Sequence, residues 1–229
     1  MGEMVEYPSN GGVGEGYLAP AAGGVGPGIV VIQEWWGLVP HIKDVCDRYA
    51  AAGFTAIAPD LYHGLEVTEP DMAGKEMMSL DIERAAKDMA GAIDYLLDHP
   101  AVESSEVGVT GFCMGGGLAL WLATLRPDAV VAVAPYYGLI PWPKAQPDYS
   151  KIKAKVQGHY AENDSFAGPD MVRALEAQLR DLGVDAEMFI YPGAEHAFFN
   201  DTRPEVYDAA SSKLAWERTT EFFRGQLKG

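Results

Sequence analysis

The sequence predicts an α/β fold, a single domain over residues 1–229 with a mostly parallel central sheet flanked by helices on both faces. Three observations carry this expectation. Short runs such as residues 28–33 and 129–134 are apolar throughout, the pattern of strands buried on both faces. These runs alternate with longer segments whose apolar residues recur at helical spacing, which calls for β-α-β units. The composition, 48% hydrophobic and 22% charged over 229 residues, is enough to bury a core.

The elements follow in order. Residues 4–7 and 16–19 are short β-like pieces, and the glycines of the 11–28 tract fit hairpin turns better than a tether. Residues 28–33 form the first fully buried strand. Ile42, Val45, Cys46, Tyr49 and Ala50 mark a helix that Gly53 stops. Residues 54–58 are the next strand, closed by Pro59-Asp60, and a loop-like stretch runs to about Gly74. Ile82, Ala85, Ala86, Met89, Ile93, Leu96 and Leu97 make one helical face that ends before Pro100. Residues 106–110 are a short strand, and the uniformly apolar residues 118–125 are a buried helix. Strands follow at 129–134 and 156–160. Val172, Leu175, Leu179 and Leu182 give an amphipathic helix closed by Gly183. Residues 186–191 are the last strand, and residues 206–227 carry a final helix with Leu214, Trp216, Phe222 and Phe223. In such sheets ligands bind beyond the carboxyl ends of the strands, so the chemistry is expected after Gln33, Thr110, Tyr160 and Tyr191.

Charge and composition exclude several classes. Acidic residues outnumber basic ones 33 to 17, a formal charge of −16 that repels nucleic acids and anionic membranes. Residues 1–10 show no apolar signal core, and no apolar run approaches the roughly 18 residues of a spanning helix. The expectation is a cytoplasmic protein, monomeric by default. The two cysteines, Cys46 and Cys113, are too few for a disulfide framework. Cys46 lies on an apolar helix face and is expected to pack in the core.

Cys113 sits in Gly111-Phe112-Cys113-Met114-Gly115-Gly116, a G-x-S-x-G pattern with cysteine in place of serine. A strand turning sharply into a helix presents the middle residue at the mouth of the sheet, and glycines two before and two after let backbones approach. The helix N-terminus beneath favours thiolate over thiol. A thiol nucleophile needs a base and a group to orient it. His196 follows the last strand, and the order Cys113, acid, His196 is that of α/β hydrolases. Asp164, just before a turn and a helix, is the preferred acid, with Glu162 the alternative. His41 and His63 lie in loops where they would line a pocket, whereas His99 ends a helix and His159 lies inside a strand. No histidine spacing makes a metal cluster, and no cofactor is expected.

Gln33-Glu34-Trp35-Trp36-Gly37 places a carboxylate and two indoles at the carboxyl edge of the sheet. The N–H groups of Trp35 and Met114 are candidates for an oxyanion hole. Glu34 beside the thiol would disfavour free thiolate at rest.

These segments, with Val31-Ile32-Gln33-Glu34-Trp35-Trp36-Gly37-Leu38, Ala58-Pro59-Asp60-Leu61-Tyr62, Val109-Thr110-Gly111-Phe112-Cys113-Met114-Gly115-Gly116, Ala134-Pro135-Tyr136-Tyr137-Gly138 and Tyr191-Pro192-Gly193-Ala194-Glu195-His196-Ala197-Phe198, resemble the dienelactone hydrolase family of α/β hydrolases over nearly the whole chain. The resemblance implies a triad of Cys113, Asp164 and His196, oxyanion donors at Trp35 and Met114, and a Glu34 that pairs with the resting thiol until substrate displaces it. It also marks a departure. Founding members hold a substrate carboxylate with two arginines; one of those positions is Asn200 here, and residues 61–81 contain no arginine, while Arg203 is out of register. An anionic substrate loses that clamp. A neutral ester or lactone is expected instead, in a pocket walled by Trp35, Trp36, Trp142, Phe198 and Phe199, with Asn200 also in contact. An acyltransferase on the same triad and a redox-sensing thiol protein are the alternative readings.

Overall fold

The computed structural model describes residues 2–9, 11–142 and 145–227. An eight-stranded sheet has the order β1-β2-β4-β3-β5-β6-β7-β8, formed by β1 (Glu3–Ser9), β2 (Gly12–Ala19), β3 (Gly26–Ile32), β4 (Thr55–Pro59), β5 (Val102–Phe112), β6 (Val130–Tyr136), β7 (Lys155–Asn163) and β8 (Ala186–Glu195). The first two strands form an antiparallel hairpin in which Ser9 pairs with Gly12, and Gly11 takes the positive φ of +97° that so tight a connection demands. β2 joins β4 antiparallel, and every other neighbouring pair is parallel.

Six α-helices lie among the described residues: α1 (Pro40–Ala51), α2 (Pro70–Ser79), α3 (Ile82–Asp98), α4 (Met114–Leu125), α5 (Pro169–Asp181) and α6 (Ala209–Gln226). Strand alternation sorts the core into two layers. Val30, Ile32, Val107 and Val109 point to the face covered by α3, α4 and α5, whereas Ile29, Val31, Ala56 and Ala58 point to the face covered by α1 and α6. A parallel sheet covered on both sides needs apolar residues at consecutive positions, which is why these strands carry no polar alternation. Cys46 is fully buried in the second layer, as its helical spacing predicts. No helix among the described residues is long and apolar enough to cross a membrane.

Two elements depart from expectation. The stretch before Gly74 is not loop throughout, because α2 starts at Pro70. Proline pre-sets φ at the first helical position, and Asp71 suits the first turn. Of its ten residues only Ala73 is buried, so α2 has no apolar stripe to betray it. β5 also begins earlier than residue 106, at Val102. Its residues 103–106 bulge between the Gly26–Val102 and Gly28–Val107 pairs at a register shift, with Ser104 Oγ accepting from Gly28 N–H at 3.1 Å.

Buried polar groups tie the sheet to α6. His159 in β7 bonds the Tyr191 hydroxyl through Nδ1 and Thr219 Oγ1 through Nε2, each at 2.8 Å, and Thr219 continues to the Tyr136 hydroxyl at 2.7 Å. Burial, with the Arg218 charge adding to it, holds His159 down to about 3. Burial also lowers His41. The unfolded chain therefore takes up protons near 6.5 that the folded chain refuses, and stability falls as pH drops below that value. Each such imidazole contributes about 1.4 kcal/mol per pH unit down to its folded value. Urea melts at about pH 7 and 5 are expected to differ by about 2 kcal/mol from His159 alone, and His159→Gln should remove that share. An unchanged pH slope in the variant would count against the assignment.

Candidate active site

The carboxyl edge of the sheet opens into a cavity of about 450 Å³. Cys113 stands at its floor, between β5 and α4, with φ +55° and ψ −120°. A non-glycine residue there is strained, and surrounding contacts must hold it. Cys113 N–H donates to Tyr136 O at 3.0 Å, and Cys113 O accepts from Gly116 N–H at 2.9 Å. The flanking glycines permit the turn. A Cβ on Gly111 would lie 2.1 Å from Gly115 O, and one on Gly115 would lie 2.4 Å from both Ile32 O and Gln33 O. Gly111→Ala therefore has to push the elbow out of place. The expected cost is about 1–3 kcal/mol of stability, with roughly a hundredfold loss of kcat/KM from displacing Cys113 by about 1 Å. Thermal melts and steady-state kinetics on that variant check both numbers.

His196 follows β8 and reaches the same cavity. Its Nδ1 lies 2.7 Å from Asp164 Oδ2, which leaves Nε2 for the thiol. Burial alone would push the His196 imidazole down, but the Asp164 hydrogen bond, the adjacent Cys113 thiol and the charges of both raise it to about 10. Asp164, immediately after β7, has a fully buried side chain, and its Oδ1 accepts from Phe166 N–H at 2.7 Å and Ala167 N–H at 3.0 Å. Burial pushes its carboxyl up, yet the His196 partner and these two N–H groups prevail and hold it low. Glu162 is exposed and faces away, accepting from Gly193 N–H at 2.8 Å. Of the two acids considered, Asp164 is the one brought against His196.

Glu34 lies beside this cluster, 1% exposed. Its oxygens accept from the Tyr137 hydroxyl at 3.3 Å and from Asn200 Nδ2 at 2.8 Å. Among the described residues no hydrogen bond joins Glu34 to the Cys113 thiol, so the expected resting pair is not formed in this arrangement; Asn200 and Tyr137 are the donors to Glu34 instead. Trp35 and Met114 line the cavity together, and Met114 opens α4, where the first N–H groups have no intrahelical acceptor.

The aromatic wall is only partly the predicted one. Trp35 and Trp36 line the cavity, edge to face with centroids 5.2 Å apart. Phe198 and Phe199 do not: the turn after His196 carries them into the α6 side of the core, where Phe199 stacks on Phe112 at 5.4 Å. Trp142 is also buried behind the wall, its Nε1 donating to Met77 O at 2.9 Å, so it holds α2 in place rather than meeting a ligand. Asn200 is buried against Glu34 rather than lining the cavity. Nor do His41 and His63 reach it. His41 is buried 3.3 Å from Asp201 Oδ1, and His63 lies 3.4 Å from Asp88 Oδ2 in a separate depression.

Their places are taken by Tyr137, Leu139, Ile140, Met77, Phe166 and Met171. Tyr137 was legible only within the Ala134-Pro135-Tyr136-Tyr137-Gly138 match, and the apolar residues carry no chemical signal of their own. Arg203 lines the wall as well, out of register in sequence but near in space. Its Nε donates to Glu205 at 2.9 Å and its guanidinium lies 5.7 Å from the Trp36 ring centroid, so its charge is already partnered. Among the described residues, no three metal-binding side chains cluster.

Known proteins resemble this chain over most of its length. Residues 15–227 match the dienelactone hydrolase family. The chain is 40% identical over 233 residues to the protein Usf of Aquifex pyrophilus, covering 99% of this chain and all of that one. It is 36% identical over 235 residues to an Aquifex aeolicus protein named "Putative carboxymethylenebutenolidase", with both chains fully covered. Among solved structures, a dienelactone hydrolase-like promiscuous phosphotriesterase from metagenomic libraries, P91, shares the fold with a TM-score of 0.87 at 24% identity, over 100% and 99% of the two chains. The chain thus belongs to the dienelactone hydrolase family, and it is a hydrolase of the ester- and lactone-cleaving class.

Proposed function

We propose that the chain cleaves neutral, apolar esters or lactones through a thioester on Cys113. The observation that carries this reading is the Asp164–His196–Cys113 alignment in a cavity walled mainly by apolar side chains. His196 holds a proton between Asp164 and the sulfur, which favours a thiolate–imidazolium pair. The thiolate attacks the carbonyl carbon, and the oxyanion is held by the N–H groups of Trp35 and Met114. Collapse breaks the ester bond, and His196 gives its proton to the leaving alkoxide. Water, deprotonated by His196, then attacks the thioester and releases the acid and the thiol.

The lining supports a neutral substrate. Arg203 is the cavity's one basic side chain besides His196 among the described residues, and it is paired with Glu205; Glu34 adds buried negative charge. A substrate carboxylate would have to compete with Glu205 for that guanidinium. The test is acid-quenched mass spectrometry after brief exposure to p-nitrophenyl acetate, beside a matched panel of neutral and carboxylate-bearing esters and lactones. An acetyl increment on the Cys113 peptide and faster turnover of neutral members are expected. Turnover with no acyl group on Cys113 overturns the thioester, and preference for the anionic members overturns the substrate class.

A further inference from the structure

Glu34 is a buried carboxylate with no cation in ion-pair range among the described residues, in the same cavity as a nucleophilic thiol. Such an anion is held in one place only by what hydrogen-bonds it. Two neutral donors do so. The shorter contact, 2.8 Å, comes from Asn200, which is itself 2% exposed. The orientation of the Asn200 amide is set from the other side: its Oδ1 accepts from Thr202 N–H at 3.1 Å and Thr202 Oγ1 at 2.6 Å. Nδ2 is thereby turned to Glu34. The second donor, the Tyr137 hydroxyl, bonds at 3.3 Å and lines the cavity with Cys113; burial, with the charges of Glu34 and Cys113 adding to it, holds this phenol up. His41 is close enough for the charges of Glu34, Arg48 and Asp201 to act on its ring, and its Nδ1 lies 3.3 Å from Asp201 Oδ1.

We propose that Asn200 is a positioning residue that holds Glu34 off the Cys113 thiol, so that the resting thiol stays with His196. Without the Asn200 donor, Glu34 keeps one long hydrogen bond in a buried site. The Cys113 S–H, in the same cavity, is then a proton donor open to it. A carboxylate bonded to that S–H, or merely closer to the sulfur, opposes ionisation of the thiol. The inference deepens the nucleophilic role of Cys113 and does not depend on which acyl compound is cleaved.

Asn200→Asp is the incisive variant. It keeps the Oδ1 that Thr202 needs, removes the donor, and sets a second carboxylate against Glu34. Alkylation of Cys113 by iodoacetamide, followed across pH by mass spectrometry, reads the thiol without any ester. The expected result is a rate about tenfold lower at neutral pH and a pH midpoint raised by about one unit, the same factor of ten. Combining it with Glu34→Gln exchanges donor and acceptor, since the introduced glutamine amide can donate to the introduced carboxylate, and should restore the rate to within about threefold. Asn200→Ala, alone and with Glu34→Gln, puts the same question if the aspartate variant does not fold. An alkylation profile unchanged in Asn200→Asp, or a double variant as slow as the single, overturns the proposal. A profile that responds in a protein turning over no ester leaves this inference standing and removes the hydrolytic reading above.

Discussion

Replacing Cys113 by alanine is expected to lower kcat/KM for p-nitrophenyl acetate by on the order of a millionfold, the scale on which nucleophile deletions act in triad hydrolases. At about 1.4 kcal/mol per factor of ten, that is about 8 kcal/mol of lost transition-state stabilisation. The loss is this large because no second thiol is placed to substitute. The other thiol, Cys46, is fully buried on α1, and burial raises it far out of the reactive range. Cys46→Ala is accordingly the control that keeps turnover while losing core packing. The fold of the Cys113 variant should persist, since alanine meets the same φ of +55° as cysteine and removes only a half-buried sulfur. Steady-state kinetics with circular dichroism on both variants checks the pair. A loss of less than about tenfold in Cys113→Ala would falsify nucleophilic catalysis by this residue.

Asp164→Asn is expected to lower kcat by about 10³–10⁴-fold while leaving the thermal midpoint nearly unchanged. The asymmetry of the carboxylate decides the outcome. Oδ1 receives two backbone N–H groups, from Phe166 and Ala167, and Oδ2 receives His196 Nδ1. An asparagine must offer its carbonyl to the two N–H groups, because its NH₂ would face two donors there. The NH₂ then points at His196 Nδ1 and selects the tautomer protonated on Nε2. That imidazole cannot accept the thiol proton. The retained backbone bonds account for the small change in stability. The measurement is kcat against pH, in which the variant should also lose the alkaline limb that follows His196, raised to about 10 in the native protein. Loss of less than about tenfold, with the profile intact, would mean that Asp164 does not orient His196.

Much of the fold was legible because its signals are local. The runs at β3, β4 and β6 are apolar at consecutive positions, and the faces of α1, α3 and α5 repeat at helical spacing. α2 was not legible, since a helix lying on the surface over a cavity needs no apolar stripe. The elbow was legible from Gly111, Cys113 and Gly115 because the pattern is contiguous in sequence, although the β3 backbone at Ile32 and Gln33, as well as the turn itself, requires its glycines.

The cavity wall was not. Phe198 and Phe199 follow His196 directly, yet the turn sends them into the core; Phe166 and Met171, on another loop and helix, arrive instead. Neighbourhood in sequence says little about neighbourhood in a site assembled from the ends of several strands. The same holds for Glu34 and Asn200, 166 residues apart and joined by one 2.8 Å hydrogen bond. By itself the sequence determined the order of the strands and of the helices other than α2, the strained thiol at Cys113 and the candidate base and acid that follow it, because periodicity and turn chemistry act over short range. Only the tertiary structure decided that Asp164 rather than Glu162 meets His196, that Glu34 turns to Asn200 and Tyr137 rather than to the thiol, and that Arg203 is partnered at the wall. Those outcomes depend on which groups are brought within about 3 Å of one another, and hydrogen bonding is effective only at that range.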